Sequence, residues 1–339
     1  MERRKAVTMQ DVAQRAGVSV ATVSHVINHS ASISPETTER VRQSISELGY
    51  RIRGAAELNQ GNRTIGVFIP DISNEFYSCV VQAIFDEAWK NDYAVMVCNM
   101  RHHHRAEVTY IRSLIQSGIR GLIFCGGAMD DEQHILSAAK RVPVVLCDRR
   151  LPGMPIDAVG TDNTGIMRNM VTRLARYGYS QIGYISEDLV MSNAYDRFLG
   201  YRLGMEENGL SLDKKWVLLL PELRLQKTES AYQMMLRVLD SKPKLPQVLL
   251  CSSDLIAIGV MAALRARGYQ VPKDVGVVGF DNISQAAFTN PPLTTVAQDM
   301  RRLGCSSFRA LLRRMENPDQ TPEETVIRAK ILVRGSVRL

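Results

Sequence analysis

Val20, Ala21, Thr22, Ser24 and His25 stand close together and combine small side chains with short hydrogen-bonding tips. That mixture suits the edges of DNA bases and the phosphates beside them: hydroxyls and an imidazole donate and accept, and small apolar groups let a backbone come close. A helix must hold them on one face, and residues 8–28, TMQDVAQRAGVSVATVSHVIN, encode one. Thr8 with Asp11 three residues on predicts a capping box that opens a first helix with Val12, Ala13 and Ala16 on one face. Gly17 supplies a sharp turn at positive φ. Ser19 then caps a second helix whose inner face is Val23, Val26 and Ile27, and small Ala13 lets the two helices cross closely. Thr8, Ser19 and Asn28 add polar groups at the helix ends. Ser34, Pro35 and Glu36 start a third helix with Val41, Ile45 and Leu48 as its inner stripe, and Gly49 ends it. A plain three-helix bundle would bury the outer face of the second helix. The residues found there favour a DNA-reading helix-turn-helix.

The rest of the chain carries a second group of polar residues, placed by strands. TIGVFIP (64–70), YAVMVC (93–98), GLIFCG (121–126) and VPVVLCD (142–148) read as buried strands, with helical patterns near 76–90, 105–117 and 131–140. The series restarts with QIGYIS (181–186), WVLLL (216–220), VLLCSS (248–253) and VGVVGFD (275–281). Two runs of four strands predict two doubly wound parallel lobes. Asp71, Asn74, Asn99, Asp148, Ser252 to Asp254, Asp281 and Asn282 fall at the carboxyl ends of these strands, where such sheets bind small molecules. The fold class is therefore α/β, with an all-α headpiece. The expected division is a head at 1–50, a hinge at 51–63 and a body at 64–339. Within the body, one lobe takes 64–161 and 293–322, the other 162–292 and 323–339.

The 339 residues carry 42 Lys and Arg against 35 Asp and Glu, a net charge of +7 that favours a polyanionic partner. Residues 1–53 hold eight Lys or Arg against five Asp or Glu, so the head is mildly basic. MERRKAVT lacks the apolar stretch that export requires, and no apolar run is long enough to span a bilayer, so a cytoplasmic protein is expected. Six scattered cysteines suit free thiols in a reducing compartment. No cofactor is expected. His102-His103-His104 has no partner at metal-ligand spacing and reads as a solvated loop. Gly126-Gly127 lacks the rest of a dinucleotide fingerprint, and neither a phosphate-binding loop nor a GxSxG or HExxH motif is present.

Head, hinge and two-lobed body in this order resemble the LacI/GalR family of bacterial transcription regulators. The likeness rests on DVAQRAGVSVATVSHVIN, ISPETTERVRQSISELGYR, IGVFIPDISNEFY, VPVVLCDRRLPG, AVGTDN, SSDLIAIGVMAALRARGYQVPKDVGVVGFDN and PPLTTVAQDMRRLG. It implies a homodimer or a dimer of dimers on a pseudo-palindromic operator, a periplasmic-binding-protein-like body and a small, sugar-like effector between the lobes; the homodimer is the favoured form. Val20 and Ala21 match the family's base-reading pair, and His25 stands where an arginine is frequent. Tyr50 begins a hinge that has Ile52 in place of the usual proline and is two residues short, which makes Leu58, ahead of Asn59, the expected minor-groove wedge. In the body, Arg197 and Asp281 match cleft residues expected on facing lobes, with a structural ion pair as the alternative for Arg197. Phe76 and Tyr77 match cleft-lining positions, and Asp71, Asp148, Asn193, Ser253 and Gln298 complete the lining. Asp162 and Asp254 read as helix caps. The rival functions are a transport solute-binding protein, a sugar-acting enzyme and a regulator that has lost its response to an effector.

Overall fold

The computed structural model describes residues 7–28, 33–48, 63–101, 104–127, 132–151, 153–241 and 244–339. The chain divides into two compact units, Met1–Arg63 and Thr64–Leu339. In the first unit the helices are α1 (Met9–Ala16), α2 (Val20–Asn28) and α3 (Pro35–Leu48). Val12, Ala13, Ala16, Val23, Val26 and Val41 form its buried core, and Ile45 and Leu48 pack against it. So small a core needs well-made helix ends. The Thr8–Asp11 capping box forms as the spacing predicts, Gly17 turns the chain at φ 65°, and the Ser19 and Ser34 hydroxyls accept the Thr22 and Thr37 N–H groups. Arg15 on α1 pairs with Glu47 on α3 at 2.8 Å.

The second unit holds two six-stranded sheets. The first is built from β1 (Thr64–Ile69), β2 (Ala94–Asn99), β3 (Gly121–Cys125), β4 (Val144–Cys147), β5 (Asp157–Thr161) and β11 (Glu324–Ile327), in the order β11-β5-β4-β3-β1-β2. The second is built from β6 (Ile182–Ser186), β7 (Val217–Leu219), β8 (Val248–Cys251), β9 (Gly276–Asp281), β10 (Thr294–Ala297) and β12 (Lys330–Leu332), in the order β12-β10-β9-β8-β6-β7. All pairings are parallel except β10 with β12. Around the first sheet lie α4 (Glu75–Trp89), α5 (His104–Gln116), α6 (Glu132–Ala139) and α11 (Met300–Glu316); around the second lie α7 (Asn163–Arg176), α8 (Ser192–Glu207), α9 (Lys227–Asp240) and α10 (Asp254–Ala266).

The eight expected strands are present, and two further strands join each sheet. They also move the lobe boundaries. β10 pairs with β9 in the second sheet, Thr294 opposite Val278, so 293–297 belong to the second lobe. β11 pairs with β5, Glu324 opposite Ala158, so 324–327 belong to the first. The chain therefore crosses between lobes after β5, between β10 and α11, and between β11 and β12. β11 is short and half-exposed, so it carries no long apolar run to mark it.

Helices pack in pairs over the sheets, closely enough that small residues decide the fit. A Cβ on Gly259 of α10 would lie 2.2 Å from the Thr228 carbonyl oxygen of α9, and one on Gly304 of α11 would lie 2.3 Å from that of Val80 on α4. Gly259→Ala is expected to destabilise the body by about 1–3 kcal/mol through overpacking. Denaturant unfolding followed by tryptophan fluorescence checks this, and an unchanged midpoint would refute the contact.

Candidate functional site

On α2, Val20, Ala21 and His25 are exposed, Thr22 and Ser24 are half-buried, and Val23 and Val26 are in the core. The residues expected to read DNA thus share the outer side of one helix. Val20 and Ala21 expose small apolar groups of the kind that suit a thymine methyl. Ser19 and Thr22 are already bonded to each other, hydroxyl to hydroxyl, at 2.8 Å. Their first role is to close the helix end. The Thr8 hydroxyl is likewise committed to Asp11. Asn28 ends α2, and its side chain lies outside the described residues, as do Tyr50, Leu58, Asn59 and the rest of the hinge.

In the body, the polar residues at the strand ends meet around one guanidinium. Arg197, on α8, is buried with its Cζ 3.8 Å from the centre of the Phe280 ring. Its Nε donates to Asn163 Oδ1 at 2.9 Å and its Nη1 to the Ser252 carbonyl at 2.7 Å. Nη1 lies 3.6 Å from Asp281 Oδ1 and Nη2 lies 4.0 Å from Asp148 Oδ1. Asp148 follows β4, so it comes from the first lobe, whereas Arg197 and Asp281 both belong to the second. The expectation that Arg197 and Asp281 face each other across the cleft is therefore corrected: Asp281 ends β9, beside the sheet on which α8 packs, and Asp148 is the carboxylate that reaches Arg197 from the opposite lobe.

Further bonds join the lobes around this ion cluster. Asn193 Nδ2 donates to Asp148 Oδ2 at 2.8 Å. Thr161, at the end of β5, donates its hydroxyl to Gln298 Oε1 at 2.7 Å, and Gln298 Nε2 donates to Asp281 Oδ1 at 2.9 Å. On the rim, Glu75 of α4 accepts both the N–H and the hydroxyl of Ser284, at 2.6 and 2.8 Å. Asp148 and Asp281 both hold positive φ, 48° and 115°, where side chains other than glycine are strained.

Beside the cluster is a cavity of about 400 Å³, lined from the first lobe by Asp71 and Tyr77 and from the second by Glu187, Met191, Arg224 and Lys227. Of the nine expected lining residues, only Asp71 and Tyr77 line it directly. Asp148, Asn193, Arg197, Asp281 and Gln298 form the buried ion and hydrogen-bond cluster. Phe76 is packed in the first lobe's core and meets Tyr77 edge-on. Ser253 is buried and caps α10, accepting the Ile256 N–H, so its hydroxyl is taken up by the backbone. Asp162 caps α7 as expected. Asp254 does not cap α10: its carboxylate accepts the Ile283 N–H at 2.9 Å and the Thr295 hydroxyl at 2.6 Å, pinning the segment after β9.

Glu187 and Lys227 were not expected here. They form an ion pair, and the Ser252 hydroxyl donates to the same glutamate. Burial opposes ionisation of Glu187, but Lys227 and Ser252 outweigh it and hold its carboxyl at about 2. Glu187 directly follows β6, so its place at a strand's carboxyl end was a usable signal. Lys227 comes from a helix start with no such mark.

Residues 8–52 match the bacterial regulatory proteins of the lacI family, and residues 171–337 match a periplasmic binding protein-like domain. The chain is 30% identical over 340 residues to the HTH-type transcriptional repressor PurR of Vibrio campbellii, covering 98% of each protein. The chain belongs to the LacI family of bacterial regulatory proteins. The HTH-type transcriptional repressor CytR of Escherichia coli is 28% identical over 99% of this chain and 98% of its own length. Among solved structures, the transcriptional regulator CelR in complex with cellobiose aligns with a TM-score of 0.72 at 27% identity, covering 97% of this chain and 99% of that one. The Lac repressor dimer bound to operator and the anti-inducer ONPF gives 0.72 at 26%, covering 98% and 99%. As a LacI-family protein the chain is a DNA-binding transcriptional regulator and not an enzyme. The transport and enzyme alternatives fall. Among the described residues no helix is long and apolar enough to cross a membrane.

Two expectations follow for the cluster. Arg197→Ala would strand Asp148 and Asp281 in the interior, which typically costs about 3–5 kcal/mol. Thermal unfolding checks this, and a wild-type melting temperature would show that the ion pairs carry no stability. The second concerns pH. Burial, with repulsion from Asp281, pushes the Asp254 carboxyl up to about 8. Burial pushes Asp281 up to about 7 against the pull of Arg197. Between the ordinary carboxylate range and these values the folded state holds more protons than the unfolded chain, so these groups make stability fall as pH rises. The body is expected to melt at a higher temperature at pH 6 than at pH 8.5. Asp254→Asn should flatten that difference, and an equal slope in the variant would exclude Asp254 as its source.

Proposed function

We propose that this protein is a homodimeric repressor that reads a pseudo-palindromic operator with α2. A sugar-like metabolite bound between its lobes sets its operator affinity. The observation that carries the reading is the shared guanidinium. Arg197 of the second lobe contacts Asp281 of its own lobe and Asp148 of the first. A ligand in the adjoining cavity that competes for either carboxylate changes how strongly the lobes hold together, and a ligand shifts such an equilibrium by its differential affinity for the two arrangements. Vicinal hydroxyls fit the site because charged groups at fixed angles bind them directionally.

On the DNA side, a two-fold dimer presents two copies of Val20, Ala21 and His25. Selection of bound sequences from a random pool is expected to return inverted repeats, and replacing Val20 and Ala21 should change the preferred bases without abolishing binding. Unpaired motifs would overturn the dimeric reading. In the hinge, Leu58→Ala is expected to weaken operator binding by about 1–3 kcal/mol and Asn59→Ala by less. A larger effect at Asn59 would move the wedge by one residue. For the effector, operator affinity is measured by fluorescence anisotropy with and without sugars and nucleosides. If no metabolite that binds the body alters operator affinity, the regulator is constitutive.

A further inference from the structure

Charge around the cleft restricts the effector further, on the reading that the cleft is its site. Among the described residues, every cation that lines the cavity or stands in the cluster behind it is already engaged by a carboxylate. Arg197 is shared by Asp281 and Asp148, Arg224 is paired with Asp188, and Lys227 with Glu187. Acceptors, by contrast, are in surplus. Asp71 and Glu229 line the same cavity, one from each lobe, and neither has an ion pair among the described residues. Asp71 commits Oδ1 to the N–H and hydroxyl of Ser73, and Glu229 commits Oε1 to Gln233. In the cluster beside the cavity, Asp148 Oδ1 is buried without a hydrogen bond.

A phosphate or carboxylate entering here would meet no unengaged cation and at least two carboxylates. Like charges in a partly desolvated cleft repel strongly, whereas an opposite charge is favoured by the same low dielectric. A volume near 400 Å³ holds a molecule of monosaccharide size. We infer that the effector carries a protonated amine alongside its hydroxyl groups, an amino sugar being the simplest such molecule. Because Asp71 and Glu229 come from opposite lobes, an ammonium between them screens their repulsion and favours lobe closure.

The test is calorimetric titration of the full-length protein at pH 7 with aldohexoses and pentoses, each as the neutral sugar, the 2-amino sugar and the 6- or 5-phosphate. At least one amino sugar is expected to bind about tenfold more tightly than its neutral parent, the difference one charge-assisted hydrogen bond supplies. Its phosphate should give no heat. Asp71→Asn keeps the Ser73 bonds but removes the charge, and should lower the amino sugar's affinity to that of the neutral parent. A neutral or phosphorylated member that binds at least as tightly as its amine overturns the inference and leaves the cleft as the effector site. Heat from no member of any class overturns both.

Discussion

One guanidinium holds the regulatory body in its arrangement. Arg197 lies over the Phe280 ring, spends two donors on Asn163 and the Ser252 carbonyl, and turns the rest of its charge toward two buried carboxylates. Burial pushes the carboxyls of Asp148 and Asp281 up, and the arginine leads the groups that pull them back, with Asn193 acting on the first and Gln298 and Lys227 on the second. A buried cluster of this kind contributes little net stability, because desolvation offsets much of the attraction. What it supplies is direction. The arginine contacts one carboxylate per lobe, so the two lobes cannot move apart without leaving a charge poorly paired.

The sheets and their helices exist to place that cluster. Parallel strands deliver their carboxyl ends to one side of each lobe, and the polar residues that follow them converge there. The chain then crosses between lobes through short segments at the ends of β5, β10 and β11, and one of these carries Gln298, which bridges Thr161 and Asp281. One of the crossings between lobes thus carries part of the buried cluster. Close packing keeps the rest rigid: where α9 meets α10 and α4 meets α11, a glycine lets backbone touch backbone. Rigid lobes around a polar seam are what a two-state regulator needs.

The sequence alone determined most of the head and the frame of the body. Helix caps are local chemistry: Thr8, Gly17, Ser19 and Ser34 act within three residues of themselves, so spacing reveals them. The eight expected strands announce themselves by their apolar runs, and the polar residues at their ends marked Asp71, Asp148 and Asp281 as cleft residues. Tertiary structure decided the rest, for a physical reason in each case. β11 is too exposed for an apolar run to show, and β10 opens on two threonines, so the lobe boundaries depended on pairing partners far along the chain. Ser253 looked like a ligand group, but the free N–H groups of α10 claimed its hydroxyl, and Asp254, which looked like the cap, was drawn to Thr295 and Ile283 across the sheet. Which carboxylate faces Arg197 from the other lobe, and that Lys227 holds Glu187, are set by distances between residues tens of positions apart. Local patterning carries no record of those distances.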